Sequence, residues 1–189
     1  MRLDPSALLP LRILHDFAGR LENLKIPYML TGSMAMFQYS IYRMTADIDI
    51  VMELKASHAQ ILINNLEPEY VLPHNSMMKA IASERMFNAI HQETAFKVDC
   101  VLRKSTPFQK SAFERRQKVD FHGKDIFIIT AEDLIISKLL WAADSKSEKQ
   151  YGDVKNLMRN PVDDNYIESW ASKLGIIDAY DQCRKELER

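Results

Sequence analysis

Thr31-Gly32-Ser33 is followed, across residues 34–42, by Arg43-Met44-Thr45-Ala46-Asp47-Ile48-Asp49-Ile50, and this stretch decides how the chain folds. Residues 48–54 alternate as a strand does, and side chains on a strand point to opposite faces in turn. Ile48, Ile50, Met52 and Leu54 share one face and are all apolar, which makes that face the core. Asp47, Asp49, Val51 and Glu53 share the other. Two carboxylates on one strand face stand ~6–7 Å apart by the strand rise. They repel unless something positive lies between them. Divalent cations with oxygen ligands supply that charge.

Working outward, a second strand over 94–103 repeats the pattern. Phe96, Val98, Cys100 and Leu102 are apolar on one face, and Lys97 and Asp99 occupy the other. If the two strands pair, Asp99 joins Asp47 and Asp49 as a third carboxylate. Three acids on neighbouring strands can hold two magnesium ions, an arrangement that clamps the attacking and leaving oxygens at a phosphoryl centre. Upstream, Gly32 allows close approach of backbone to a ligand. The helix expected from Gly32-Ser33 to about Tyr42 opens with free N–H groups suited to phosphate, and Ser33 adds a hydroxyl there. Carboxylates beside such a helix start suggest a nucleoside triphosphate.

Gly32-Ser33, a spacer, then Asp47-Ile48-Asp49, with Asp99 on a later strand, resembles the DNA-polymerase-β-like nucleotidyltransferase superfamily. Arg43-Met44-Thr45-Ala46-Asp47-Ile48-Asp49 is similar to the R-x-T-x-D-h-D form of the abortive-infection, toxin-like nucleotidyltransferases. Lys97-Val98-Asp99 resembles their K-x-D element. Lys138 and Asp153 fit the positions of a lysine and an aspartate in their C-terminal helices. The resemblance spans roughly residues 28–158. It departs at the first turn, where Gly-Ser stands in place of Gly-Gly.

What the resemblance implies is transfer of a nucleoside monophosphate from NTP to an acceptor, with pyrophosphate leaving. Asp47, Asp49 and Asp99 would hold Mg2+, or Mn2+ in its place, two ions in all, and Asp99 would also take the acceptor proton. Gly32, Ser33 and Lys138 would bind the nucleotide. Arg43, Thr45, Lys97 and Asp153 would support them. The acceptor stays open between tRNA, protein and a small molecule such as an antibiotic. An antitoxin-like protein partner and a non-catalytic nucleotide-binding or interaction module on the same fold also stay open.

Lys138 has an independent argument. On a helix its neighbours three and four residues away are Leu134, Ile135, Trp141 and Ala142, all apolar. A buried lysine is costly unless paired, so it requires an anion. Between Arg103 and Lys124, seven basic residues stand against Glu114 and Asp120, a local charge of +5. Such a run is either a solvated face or a surface for a polyanionic acceptor. The five histidines form no metal-binding motif of the H-E-x-x-H kind, and no Walker loop or G-x-S-x-G elbow occurs.

The rest of the chain bounds these readings. Its 189 residues, 47% hydrophobic and 27% charged, suffice for a real core. A net charge of −1 argues against coating nucleic acid through bulk charge. Cys100 and Cys183 are too few and too far apart for a disulfide framework or a cysteine zinc site. No apolar run reaches the ~18 residues of a membrane span, and the N-terminus lacks the layout of a secretion signal, so a cytoplasmic protein with no membrane partner is expected.

Helical spacing covers 6–25 through Leu9, Ile13, Phe17, Leu21 and Leu24. A strand is expected over 28–31, helices capped by Ser57 and Ser76, strands over 86–92 and 94–103, a helix over 106–117 and a hairpin turning at His122-Gly123. Thr130, ahead of Glu132-Asp133, caps the first of four helices that run to the end. The expectation is an α+β protein: a small, mixed, twisted sheet flanked by helices (1–130), the nucleotidyltransferase fold, with a C-terminal helical subdomain (131–189).

Overall fold

The computed structural model describes residues 5–39, 45–145 and 147–187, the side chains of 5–8 excepted. Helix α1 (Pro5–Asn23) leads to strand β1 (Tyr28–Thr31), the one-turn helix α2 (Gly32–Ala35) and a 3-10 turn over Met36–Gln38. Strand β2 (Asp47–Met52), helix α3 (Ala56–Leu66), strand β3 (Tyr70–Val71) and helix α4 (His74–Ser83) follow. Then come β4 (Met86–His91), β5 (Lys97–Leu102), α5 (Pro107–Glu114), β6 (Gln117–Asp120) and β7 (Asp125–Ile128). Four helices close the chain: α6 (Ala131–Ser145), α7 (Glu148–Leu157), α8 (Asp164–Leu174) and α9 (Ile177–Leu187).

The strands form one seven-stranded sheet in the order β3-β4-β5-β2-β1-β7-β6. It is mixed, since β2 runs parallel to β5 and β1 parallel to β7, while the other neighbours are antiparallel. A parallel partner requires a long crossover. The segment from α3 to β4 provides it for β2 and β5, and so places two strands distant in sequence side by side at the centre. Ile48, Ile50, Met52, Val98 and Cys100 are wholly buried there, as their alternation requires. Val51, on the aspartates' face, is also buried, so that face is covered beyond the acids.

Several local readings shift. Leu14, Phe17 and Leu21 of α1 are completely buried, whereas Leu9 is exposed. Helix α3 begins at Ala56 after Lys55, and α4 begins at His74 after Pro73, so neither Ser57 nor Ser76 is the cap. Thr106 does cap α5, accepting a hydrogen bond from the Gln109 amide. The helix expected to run to Tyr42 is an α-turn that tightens into a 3-10 turn ending at Gln38. Met34, Ala35, Met36 and Phe37 are a continuous apolar run without helical period, and the first three are buried.

Among the described residues, only helices follow Thr130. Thr130 accepts from the Asp133 amide (3.3 Å), and its hydroxyl donates to the Asp133 carboxylate (2.8 Å). Arg115 from the end of α5 (3.1 Å) and the Tyr166 hydroxyl from α8 (2.7 Å) donate to the same carboxylate, which is fully buried. This joint fixes α6 against the sheet-bearing part of the chain. Among the described residues, no helix is long and apolar enough to cross a membrane.

Candidate active site

The parallel register of β2 and β5 sets Asp47 opposite Lys97 and Asp49 opposite Asp99. Strand parity brings all four to one sheet face, because positions two apart on a strand point the same way. On the other side of β2, antiparallel β1 ends with Thr31 opposite Asp49. The chain then turns at Gly32, whose φ of +65° lies in the left-handed region, and passes directly over the Asp49 carboxylate. A β-carbon at residue 32 would overlap that carboxylate and lie 2.9 Å from the Asp49 Cβ. Glycine is therefore required twice, for the turn and for the approach. Ser33 follows immediately, in a helix too short to carry much dipole of its own. What the turn offers a ligand is its hydroxyl and close backbone rather than a long helix end.

The electrostatics match the crowding. Burial, followed by the charges of Asp47 and Asp99, pushes the Asp49 carboxyl up to about 6, and Lys138 and Lys97 oppose the shift. Asp99 is buried, and among the described residues its Oδ1 has no hydrogen-bond partner. Its Oδ2 accepts from the Lys97 ammonium at 3.0 Å, and the same ammonium stands 3.7 Å from Oδ2 of Asp47. The bond to Asp99 raises the pKa of Lys97. Thr45 donates to the Asp47 carbonyl (2.9 Å) and to its Oδ1 (3.2 Å), steadying the entry to β2.

Lys138 reaches this site from α6. It is buried, donating to Asp153 (2.8 Å) and Gln150 (3.1 Å) of α7. The expected pairing of Lys138 with an anion is thus met by Asp153, the aspartate singled out beside it. Its surround is less apolar than the spacing suggests, because Trp141 is 64% exposed. Arg43 lies outside the described residues.

A cation fits this chemistry. A buried carboxylate oxygen without a partner among the described residues, and an acid whose pKa is raised by burial and by two neighbouring carboxylates, both call for positive charge. Yet among the described residues, no three acidic, histidine or cysteine side chains already converge into a cage for an ion.

The family model for nucleotidyltransferases of unknown function (DUF6036) matches residues 11–173, nearly the whole chain. The chain belongs to that nucleotidyltransferase family. Among curated proteins, none matches it in sequence. Solved structures share the nucleotidyltransferase fold. The antibiotic-resistance factor ANT(2'')-Ia in solution is 12% identical, with 96% of each chain covered and a TM-score of 0.57. The crystal structure of ANT(2'')-Ia with adenylyl-2''-tobramycin is 13% identical over 94% of this chain and 99% of that one, TM-score 0.56. A putative nucleotidyltransferase from Thermotoga maritima is 18% identical over 74% and 88%, TM-score 0.50.

Seen on this nucleotidyltransferase fold, the basic run from Arg103 to Lys124 does not form one open face. Arg103 pairs with Glu53, Arg115 with Glu132 and Asp133, and Lys118 with Asp125. Lys124 donates to the His15 carbonyl and Arg116 to that of Phe113. Gln150 is the site residue that sequence reading misses. Its only signal is a position three residues before Asp153, on the same helical face.

Proposed function

We propose that the chain transfers a nucleoside monophosphate from an NTP to a hydroxyl of a small molecule in a reaction that depends on a divalent cation. The observation that carries this reading is the in-register pair Asp49 and Asp99, with Asp47 beside them and Gly32 folded over Asp49. Asp47, Asp49 and Asp99 would hold the cation. When bound there, it supplies the charge that neutralises the phosphate oxygens of the substrate.

The chain's own groups do the rest. Gly32 and Ser33 hold the terminal phosphates through close backbone and a hydroxyl. Lys138, braced by Asp153 and Gln150, adds a fixed positive charge that acts on Asp49. The acceptor oxygen forms its bond to the α-phosphorus, the bond from that phosphorus to the β-phosphate bridging oxygen breaks, and pyrophosphate leaves. The unpartnered Oδ1 of Asp99 receives the acceptor proton. Fixed charge and orientation, rather than covalent participation, lower the barrier.

Two observations favour a small-molecule acceptor. The likeness to ANT(2'')-Ia, seen in complex with adenylyl-2''-tobramycin, extends over almost the full length of both chains. Five of the seven residues of the basic run, in addition, are engaged within the chain, three in ion pairs and two with backbone carbonyls. Incubation with each labelled NTP, Mg2+ and a panel of aminoglycosides, other hydroxyl compounds, tRNA and protein tests the reading. Label should pass to a small hydroxyl compound in wild type and not in Asp49→Ala. Label passing to tRNA or protein would favour the toxin-like alternative, and absence of transfer from all four NTPs would overturn catalysis.

A further inference from the structure

We propose that the Lys97 ammonium is a tethered counter-ion, occupying the seat between Asp47 and Asp99 until a divalent cation displaces it. This rests on the reading above that these acids hold such a cation. The backbone makes the seat. Lys97 lies directly opposite Asp47 across the β2–β5 pair and two residues before Asp99 on β5, so its side chain rises between the two carboxylates. Its Nζ is 3.0 Å from one and 3.7 Å from the other. Thr45 holds the far oxygen of Asp47, leaving Oδ2 toward the lysine.

The two lysines near the acids differ in a way that separates their tasks. The Lys138 side chain is 6% exposed and fastened by Asp153 and Gln150, so it stays where it is. The Lys97 side chain is 37% exposed and sits at the open side of the acids. Its flexible four-carbon stem can carry the ammonium out to water at little cost. A single positive charge reaching one oxygen of each acid leaves Oδ1 of Asp99 without a partner among the described residues. A doubly charged ion with several coordination positions satisfies more of those oxygens. Lysine therefore stabilises the ion-free acids while remaining the weaker of two competitors. The consequence is a site that resists adventitious cations and admits one best when other charges compensate it.

Calorimetric titration of Mn2+ into the full chain, without nucleotide and at fixed ionic strength, tests this. Lys97→Met should bind Mn2+ about tenfold more tightly than wild type, the effect of removing one competing charge at contact distance. Lys97→Arg, which keeps the charge, should remain near wild type. Lys25→Met, distant from the acids, should not change the affinity. In wild type, saturating Mn2+ should increase acylation of the Lys97 amine, read by peptide mass mapping. In metal-free buffer Lys97→Met should melt below wild type and regain the difference on adding Mn2+. Equal or weaker Mn2+ binding by Lys97→Met, or tightening of the same size in Lys25→Met, overturns the proposal alone. Absence of Mn2+ binding in every variant overturns it together with the metal-dependent reading.

Discussion

The backbone of Gly32 lies against the carboxylate of Asp49, so closely that no side chain can be added at residue 32 without displacing it. The two come together because β1 and β2 are antiparallel neighbours whose register ends with Thr31 opposite Asp49. A turn at the next residue must then cross above the acid. Gly32→Ala meets two penalties, a left-handed φ and a clash with Asp49. The expected loss of stability is roughly 1–3 kcal/mol, the range for a residue forced into a disfavoured backbone region. Thermal unfolding would measure it. Transfer of label from NTP should fall well beyond the loss of folded protein, because Asp49 is pushed aside.

Lys138 and Asp153 form a buried ion pair, and their roles in folding and in binding can be separated. Asp153→Ala leaves an ammonium buried with Gln150 beside it, and breaking such a pair costs roughly 3–5 kcal/mol. Replacing both, as Lys138→Met with Asp153→Leu, should recover most of that loss, since apolar packing often replaces a buried pair without penalty. If Lys138 meets the triphosphate, the double variant should still bind NTP at least about tenfold more weakly, the loss of one charge-assisted contact. Denaturant titration and calorimetric NTP binding on the same samples check the two expectations. Full NTP affinity in the stable double variant would make Lys138 a purely structural residue.

Much of this is legible in the sequence, and what is not depends on contacts between elements distant in the chain. The faces of β2 and β5 follow from strict alternation, so Asp47, Asp49, Lys97 and Asp99 could be placed on one side before any pairing was known. The pairing of Asp49 with Asp99 could not, because register between strands some fifty residues apart is set by the packing of the crossover between them. Strand β3 has only Tyr70 and Val71, too short to show any period. The helix expected after Gly32 gives way to a 3-10 turn because an unbroken apolar run from Met34 to Phe37 is compatible with helix but does not demand it. Trp141 counted as a core neighbour of Lys138 because helical spacing identifies neighbours and says nothing about what covers them. Gln150 escaped notice since its partner lies on another helix.

Asp49 gives the protein a pH signature in the absence of metal. Its carboxyl, raised to about 6 chiefly by burial, keeps its proton in the native state after the unfolded chain has lost it. Between about pH 4 and pH 6 the native state therefore binds more protons, and stability falls as pH rises through that window. Above it the cost of the buried charge is constant. Asp49→Asn removes the titration. In chelator, the variant should be the more stable at pH 7, and its advantage should shrink as pH falls toward 4. Urea unfolding of both proteins across this range isolates Asp49 together with its coupling to Asp47 and Asp99, since distant titrating groups cancel in the difference. An advantage that does not vary with pH would contradict the raised carboxyl.

The Asp133 joint predicts a different pattern, one of stability alone and of strong non-additivity. Three donors converge on this fully buried carboxylate: the Thr130 hydroxyl from the head of α6, Arg115 from the end of α5 and the Tyr166 hydroxyl from α8. Asp133→Ala removes the acceptor for all three and should cost about 2–4 kcal/mol, less than a wholly buried pair because Arg115 can turn to water. Tyr166→Phe removes the bond to Asp133 and a long contact with Ser111, and should cost about 1 kcal/mol. Thr130→Val removes a helix cap as well as a donor and should cost about 1–2 kcal/mol. Once the Asp133 carboxylate is gone, the bonds that the Tyr166 and Thr130 hydroxyls donated to it no longer exist to be lost. Adding Tyr166→Phe to Asp133→Ala should therefore cost nearly nothing, a coupling of about 1 kcal/mol in a double-mutant cycle. Simple additivity would show that the hydroxyl of Tyr166 contributes through its weaker contact with Ser111 rather than through Asp133.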